Sequence, residues 1–207
     1  MIMKKTFFCS LLSIFIISTS AFAQTNDPNL EIEVRETINQ QCIHKVKALT
    51  DHFAKIAKKE EADSIKDYHI EACLDLFVGR GDDITDDDGN VIYPAPRIEV
   101  SSLSTGRTNS YFIKNYLVRL KGLQYSKIVF KTSECYLADG GIKKINDNQY
   151  SATVVFYQVF IGYKGDLIVY RDKTKKRVQI IIEKTRTGFD VLLGNISVDQ
   201  TESTNEQ

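Results

Sequence analysis

Apolar positions along the chain change period once, from 3.6 to 2. Between residues 35 and 57 they fall at Ile38, Cys42, Val46, Leu49, Phe53 and Ile56, in steps of 4, 4, 3, 4 and 3. That is one face of a long amphipathic helix. Lys58-Lys59-Glu60-Glu61 interrupts it. Ser64-Ile65-Lys66-Asp67 then has the form of a capping box and predicts a second helix, with a stripe through Ile65, Tyr68/His69, Ala72/Cys73 and Leu76/Phe77. Gly79 stands where a helix C-terminal glycine belongs. Residues 80–97 read as irregular and acid-rich, with a turn at Asp88-Gly89. A short strand at 98–101 precedes a third helix at 109–121, whose stripe is Phe112/Ile113, Tyr116/Leu117 and Leu120 and which Gly122 stops.

Beyond Gly122 the pattern is that of strands. Residues 125–137 alternate, and a Gly/Asn/Asp-rich turn at 139–148 leads to a long run at 150–163. Lys164-Gly165-Asp166 turns into a strand at 167–171, residues 172–176 turn into 177–184, and the last strand spans 189–198. Sequential strands joined by short turns predict an antiparallel meander, and helices segregated onto one face of it give an α+β architecture.

This order resembles the nuclear transport factor 2-like cone, three N-terminal helices on a curved antiparallel sheet. The features that carry the resemblance are the long opening helix, the capped second helix, the helix ahead of the sheet and the closing strand Val191-Leu192-Leu193-Gly194-Asn195-Ile196-Ser197-Val198. It covers about residues 31–198. Another cystatin-like α+β roll is the alternative. The resemblance implies a fold that hosts isomerase-like enzymes, dehydratases and cyclases as well as non-enzymatic binding modules, so it speaks to fold more than to function.

The ends read differently. A basic start at Lys4-Lys5, an 11-residue apolar run at 7–17 and the small-x-small segment Ala21-Phe22-Ala23 have the layout of a cleaved export signal. The run is short of the roughly 20 residues that a membrane span requires. The expectation is therefore a signal peptide at 1–23, disordered tails at 24–30 and 199–207, and one domain at 31–198, exported to the periplasm or the exterior. Over the whole chain 27 Lys+Arg balance 27 Asp+Glu. No basic surplus points to nucleic acid.

Motifs that name a reaction are missing. The chain has no Gly-x-Ser-x-Gly, phosphate-binding glycine loop or His-Glu-x-x-His, and no cofactor is expected. His69 and Cys73 share a helix face, but no fourth ligand accompanies them and Cys42, so no metal is expected. A Cys42–Cys73 disulfide is the alternative to free buried thiols. Aligning Gly89 with the sixth place of a twelve-residue calcium loop puts Ile84 and Ala95 where carboxylates are required, so Asp82, Asp83, Asp86, Asp87 and Asp88 read as a solvated turn. Arg80-Gly81-Asp82 spells an adhesive tripeptide, a weak signal at that length.

The strands supply the pocket candidates. Glu134 alternates with Ile128, Phe130 and Tyr136, and Gln158 with Phe156 and Phe160. A carboxylate on an apolar wall would titrate high and serve as a general base. Tyr68 and His69 complete the candidate lining. The run at 153–161 is apolar on both faces, and Tyr157, Val159 and Ile181 predict a homodimer face. The leading expectation is an exported, non-catalytic binding or assembly module that holds a small ligand or an envelope partner. The alternative is an isomerase- or lyase-type enzyme with Glu134 as base and Tyr136 or Tyr68 as polariser. A third reading, a subunit resembling the periplasmic component of type IV secretion, requires the signal to stay uncut.

Overall fold

The computed structural model describes residues 28–139 and 141–203, so the export signal lies outside the described residues. The long helix α1 (Pro28–Ala57) buries every position of the predicted stripe, Ile38, Cys42, Val46, Leu49, Phe53 and Ile56. It begins within the expected N-terminal tail. Helix α2 (Asp63–Leu74) differs from expectation in both start and facing. Its N-cap is Ala62, with no side-chain cap, so the capping box is not used. Its buried positions are Lys66, Cys73 and Leu74, while Ile65 and Tyr68 face solvent. Gly79 does not end this helix. It lies in a one-turn 3-10 segment (Val78–Gly81) that reaches positive φ at Gly79 and Gly81.

Residues 84–93 form a small hairpin, β1 (Ile84–Thr85) with β2 (Val91–Tyr93). Asp86 caps its turn by accepting the backbone N–H groups of Asp88 (3.0 Å) and Asn90 (2.8 Å). The expected strand near residue 98 is longer and has a partner: β3 (Arg97–Ser102) pairs antiparallel with β4 (Arg107–Phe112). The third helix, α3 (Ile113–Lys121), therefore starts four residues later than predicted. Polar Arg107, Thr108, Asn109 and Ser110 suit an exposed edge strand better than a helix turn.

The main sheet runs β4-β3-β10-β9-β8-β5. Its body is β8 (Gln149–Lys164), β9 (Leu167–Lys184) and β10 (Phe189–Glu202), flanked by β5 (Lys127–Thr132), with β6 (Tyr136–Leu137) and β7 (Lys143–Asn146) also paired to β8. The sheet is mixed rather than purely antiparallel, because β3 lies parallel to β10 at Ile98 and Ile196. Two further corrections follow from pairing. The expected turn at 172–176 does not exist: β9 is one 18-residue strand, its charges alternating between faces. The expected tail begins inside β10, which pairs with β9 as far as Glu202. The core joins the α1 stripe to Val154, Phe156, Val178, Ile180, Ile182, Val191 and Leu193. Among the described residues no helix is long and apolar enough to cross a membrane.

Candidate functional site

Alternation on β9 builds the site. Its inner face runs Asp172, Thr174, Lys176, Val178, Ile180, Ile182, all buried. The last three meet the helices and close the core. The first three are polar and line a cavity of about 290 Å³, which Tyr116, Arg119 and Leu120 of α3 bound from the other side. Tyr111, Tyr116, Tyr125, Phe130, Phe160 and Tyr170 wall it, with Arg119 also in the lining. Phe160 meets Tyr125, Phe130 and Tyr170 edge-on, with centroids 5.3–5.8 Å apart. Such contacts hold an aromatic wall in a defined shape.

Asp172 is only 5% exposed. Tyr170 donates its phenolic O–H to Asp172 Oδ2 at 2.5 Å. The phenol oxygen accepts the Leu103 N–H at 3.2 Å and lies 3.4 Å from Ser102 Oγ. The β3–β4 hairpin thus fixes Tyr170, and Tyr170 fixes the carboxylate. Burial pushes the Asp172 carboxyl above its ordinary range, against the opposing pull of the Tyr170 hydroxyl and the Lys176 charge. Burial acts on Lys176 in the other direction, lowering it to about 8 although Asp172 and Glu99 favour its charged form. Its ammonium donates to the Glu99 carbonyl at 3.2 Å. Between them stands Gln158, opposite Thr174 across the β8–β9 ladder and 5% exposed. Its Nε2 is buried with no hydrogen-bond partner. Burial also raises Tyr116 and Tyr125, and the Asp172 charge adds to both.

Of the candidate lining residues, Phe130, Gln158 and Phe160 lie in the wall of this cavity. Phe156 lies in the sealed core instead. Glu134 is exposed and outside the cavity, for a local reason. Thr132 pairs with Gln158 and Tyr136 with Val155, so four steps on one strand oppose three on the other. The extra residue is a β-bulge, fastened by Ser133 Oγ accepting the Tyr157 N–H at 2.9 Å. It reverses the side-chain parity, turning Cys135 inward and Glu134 and Tyr136 outward. Tyr68 is 67% exposed on α2. His69 faces His52, their Nδ1 atoms 3.1 Å apart. Among the described residues no three His, Cys, Asp or Glu side chains are placed to share a metal ion. Cys42, Cys73 and Cys135 are free and buried, and burial pushes Cys42 and Cys73 up to about 12.

No protein-family model matches the chain, and no curated protein sequence matches it either. Solved structures do. One, from Novosphingobium aromaticivorans and provisionally named a scytalone dehydratase, is 11% identical, with 87% of this chain and 91% of that one covered at a TM-score of 0.43. A nuclear transport factor 2-like protein with a cystatin-like fold, also from Novosphingobium aromaticivorans, is 12% identical over 86% and 92% of the two chains, at 0.43. A type 2 hexachlorocyclohexane dehydrochlorinase is 7% identical over 84% and 95%, at 0.41. The expectation of a non-catalytic binding or assembly module is corrected against these names, two of which are names of enzymes. Structural neighbours of the chain include nuclear transport factor 2-like proteins, one of them of cystatin-like fold, the resemblance that its element order carries.

Proposed function

We propose that the protein is an acid–base enzyme of isomerase or lyase type whose general base is Asp172, working in a cone that the three helices close over the curved sheet. The observation that carries this reading is a carboxylate 5% exposed at the floor of an aromatic cavity, with one oxygen held by Tyr170. The bound oxygen fixes the orientation, and Oδ1 remains to take a proton from substrate carbon. A raised carboxyl is a better match to a weakly acidic C–H at neutral pH than an ordinary one. The unpartnered Gln158 Nε2 supplies a donor for a substrate oxygen, where developing negative charge would collect. The aromatic walls select a flat, mainly apolar molecule. Glu134, outside the cavity, has no part in the chemistry.

Proton abstraction is testable before the physiological substrate is known. In D2O the protein should speed deuterium exchange at the carbons beside the carbonyl of 2-tetralone, followed by NMR. The expected gain over buffer is about 10²–10⁴-fold, the usual contribution of a positioned base. Asp172→Asn should return the rate to that of buffer while the circular dichroism stays native, and Glu134→Gln should change nothing. Exchange that survives Asp172→Asn would overturn the assignment.

A further inference from the structure

Acid–base chemistry at Asp172 leaves the amine at the other end of the cavity without a task. Lys176 is 4% exposed and lies in the cavity lining. One of its three donors is used, on the Glu99 carbonyl at 3.2 Å, and no carboxylate comes within ion-pair distance among the described residues. As an ammonium it would leave two N–H groups facing an aromatic hollow. As a neutral amine it presents a lone pair there.

Lys66 provides the contrast. It is nearly as buried, at 6%, but stands 3.8 Å from Asp63 and is not part of this cavity's lining. Burial alone therefore does not set Lys176 apart. The combination of burial, no carboxylate within ion-pair distance and a place in the cavity lining does so.

We infer that Lys176 is a nucleophile that captures an aldehyde or ketone entering this cavity as a Schiff base. The Nζ lone pair forms a bond to the carbonyl carbon, and the π electrons move to oxygen. A proton passes from nitrogen to oxygen to give the carbinolamine. Loss of the hydroxyl with the second amine proton releases one water and leaves the C=N bond, so both hydrogens of that water come from the amine. No oxidant or cofactor is consumed. The adjacent Gln158 Nε2 is a donor for the carbonyl oxygen during attack. This inference rests on the same cavity as the acid–base reading, but does not require Asp172 to act as a base.

A lowered ammonium supports the geometry. With Lys176 at about 8, its neutral fraction at pH 7 exceeds that of an ordinary lysine, near 10.4, by about two orders of magnitude. The test is reductive trapping: the folded protein is incubated with benzaldehyde and sodium cyanoborohydride, digested and mapped by mass. The peptide carrying Lys176 should gain one benzyl group well before those carrying Lys66 or the surface lysines. Its rate should rise with pH and level off near 8, whereas surface lysines keep rising. Lys176→Arg should remove that one modification. Lys176 unmodified while surface lysines react, or modified no faster than Lys66, would overturn the inference. A wild type that traps benzaldehyde at Lys176 but exchanges no protons leaves the lysine chemistry standing alone, and trapping that persists in Asp172→Asn shows that it does not depend on the base. A wild type that exchanges protons but does not trap benzaldehyde leaves only the base.

Discussion

Asp172 and Lys176 share one face of one strand, and the same burial moves them in opposite directions, each towards its neutral form. Such placement costs stability that a structural core would not give up. The sign of the pH dependence follows. Lys176 titrates near 8 in the folded chain and near 10.5 in the unfolded one. Between those values the unfolded chain binds more protons, so stability rises with pH across that window. Below about 8 the penalty is constant and complete. Lys176→Met should remove the rise and stabilise the protein at pH 7 by about 1–3 kcal/mol, since a buried charge without an ion pair is exchanged for an apolar side chain of similar length. Urea unfolding of both proteins at pH 7 and pH 10 measures it. An unchanged pH slope in the variant would show that Lys176 is not the group responsible. Asp172 works the other way: its raised carboxyl favours the folded state at low pH and loses that advantage as pH climbs through the raised value.

At the scale of elements, what could be read in advance depended on whether local pattern or pairing decides. The α1 stripe was fully legible, because six apolar positions at helical spacing have only one way to share a face. The inward face of β8 was legible in the same way, and it yielded Phe130's neighbours Gln158 and Phe160. Glu134 was not, because a bulge is a relation between two strands, and the residue that supplies it, Ser133, looks ordinary on its own. Asp172 and Lys176 were hidden by their own charge. Asp-x-Thr-x-Lys resembles a turn until the alternation is continued into Val178-x-Ile180-x-Ile182, where the same parity becomes apolar. That continued period was the available signal. Gly162 has a comparable pairing role. A Cβ there would enter the van der Waals surface of the Tyr125 ring, which walls the cavity. Gly162→Ala should therefore cost about 1–3 kcal/mol in thermal or urea unfolding by overpacking. In a Tyr125→Ala background the same change should cost clearly less, a coupling that a purely backbone effect would not produce.

The whole molecule poses the question of the sheet's outer face. Tyr157, Val159 and Ile181, the proposed centre of a homodimer, are half-buried within a single chain. Their neighbours Val155 and Ile161 are already buried without a second copy, and Arg177 and Arg171 stand directly across the ladder from them. The Lys173 ammonium lies over the Tyr157 ring at 5.0 Å. Long basic side chains thus cover much of the apolar surface with their stems while their charges reach water. Lys173, Lys175 and Arg177 share two carboxylates, Glu202 and Asp199. A two-fold pairing through this face would set one copy's basic row against the other's. Apolar contact at Tyr157, Val159 and Ile181 favours the pairing and charge opposes it, so the proposed dimer should be weak and should strengthen with salt. Screening at 0.15 M already acts beyond about 8 Å, and higher salt shortens that distance. Sedimentation equilibrium at rising ionic strength should shift the protein from monomer towards dimer. Val159→Lys should hold it monomeric at every salt concentration with its fold intact. A wild type that stays monomeric throughout would mean that the basic stems complete the outer face from within, and the dimer would be given up.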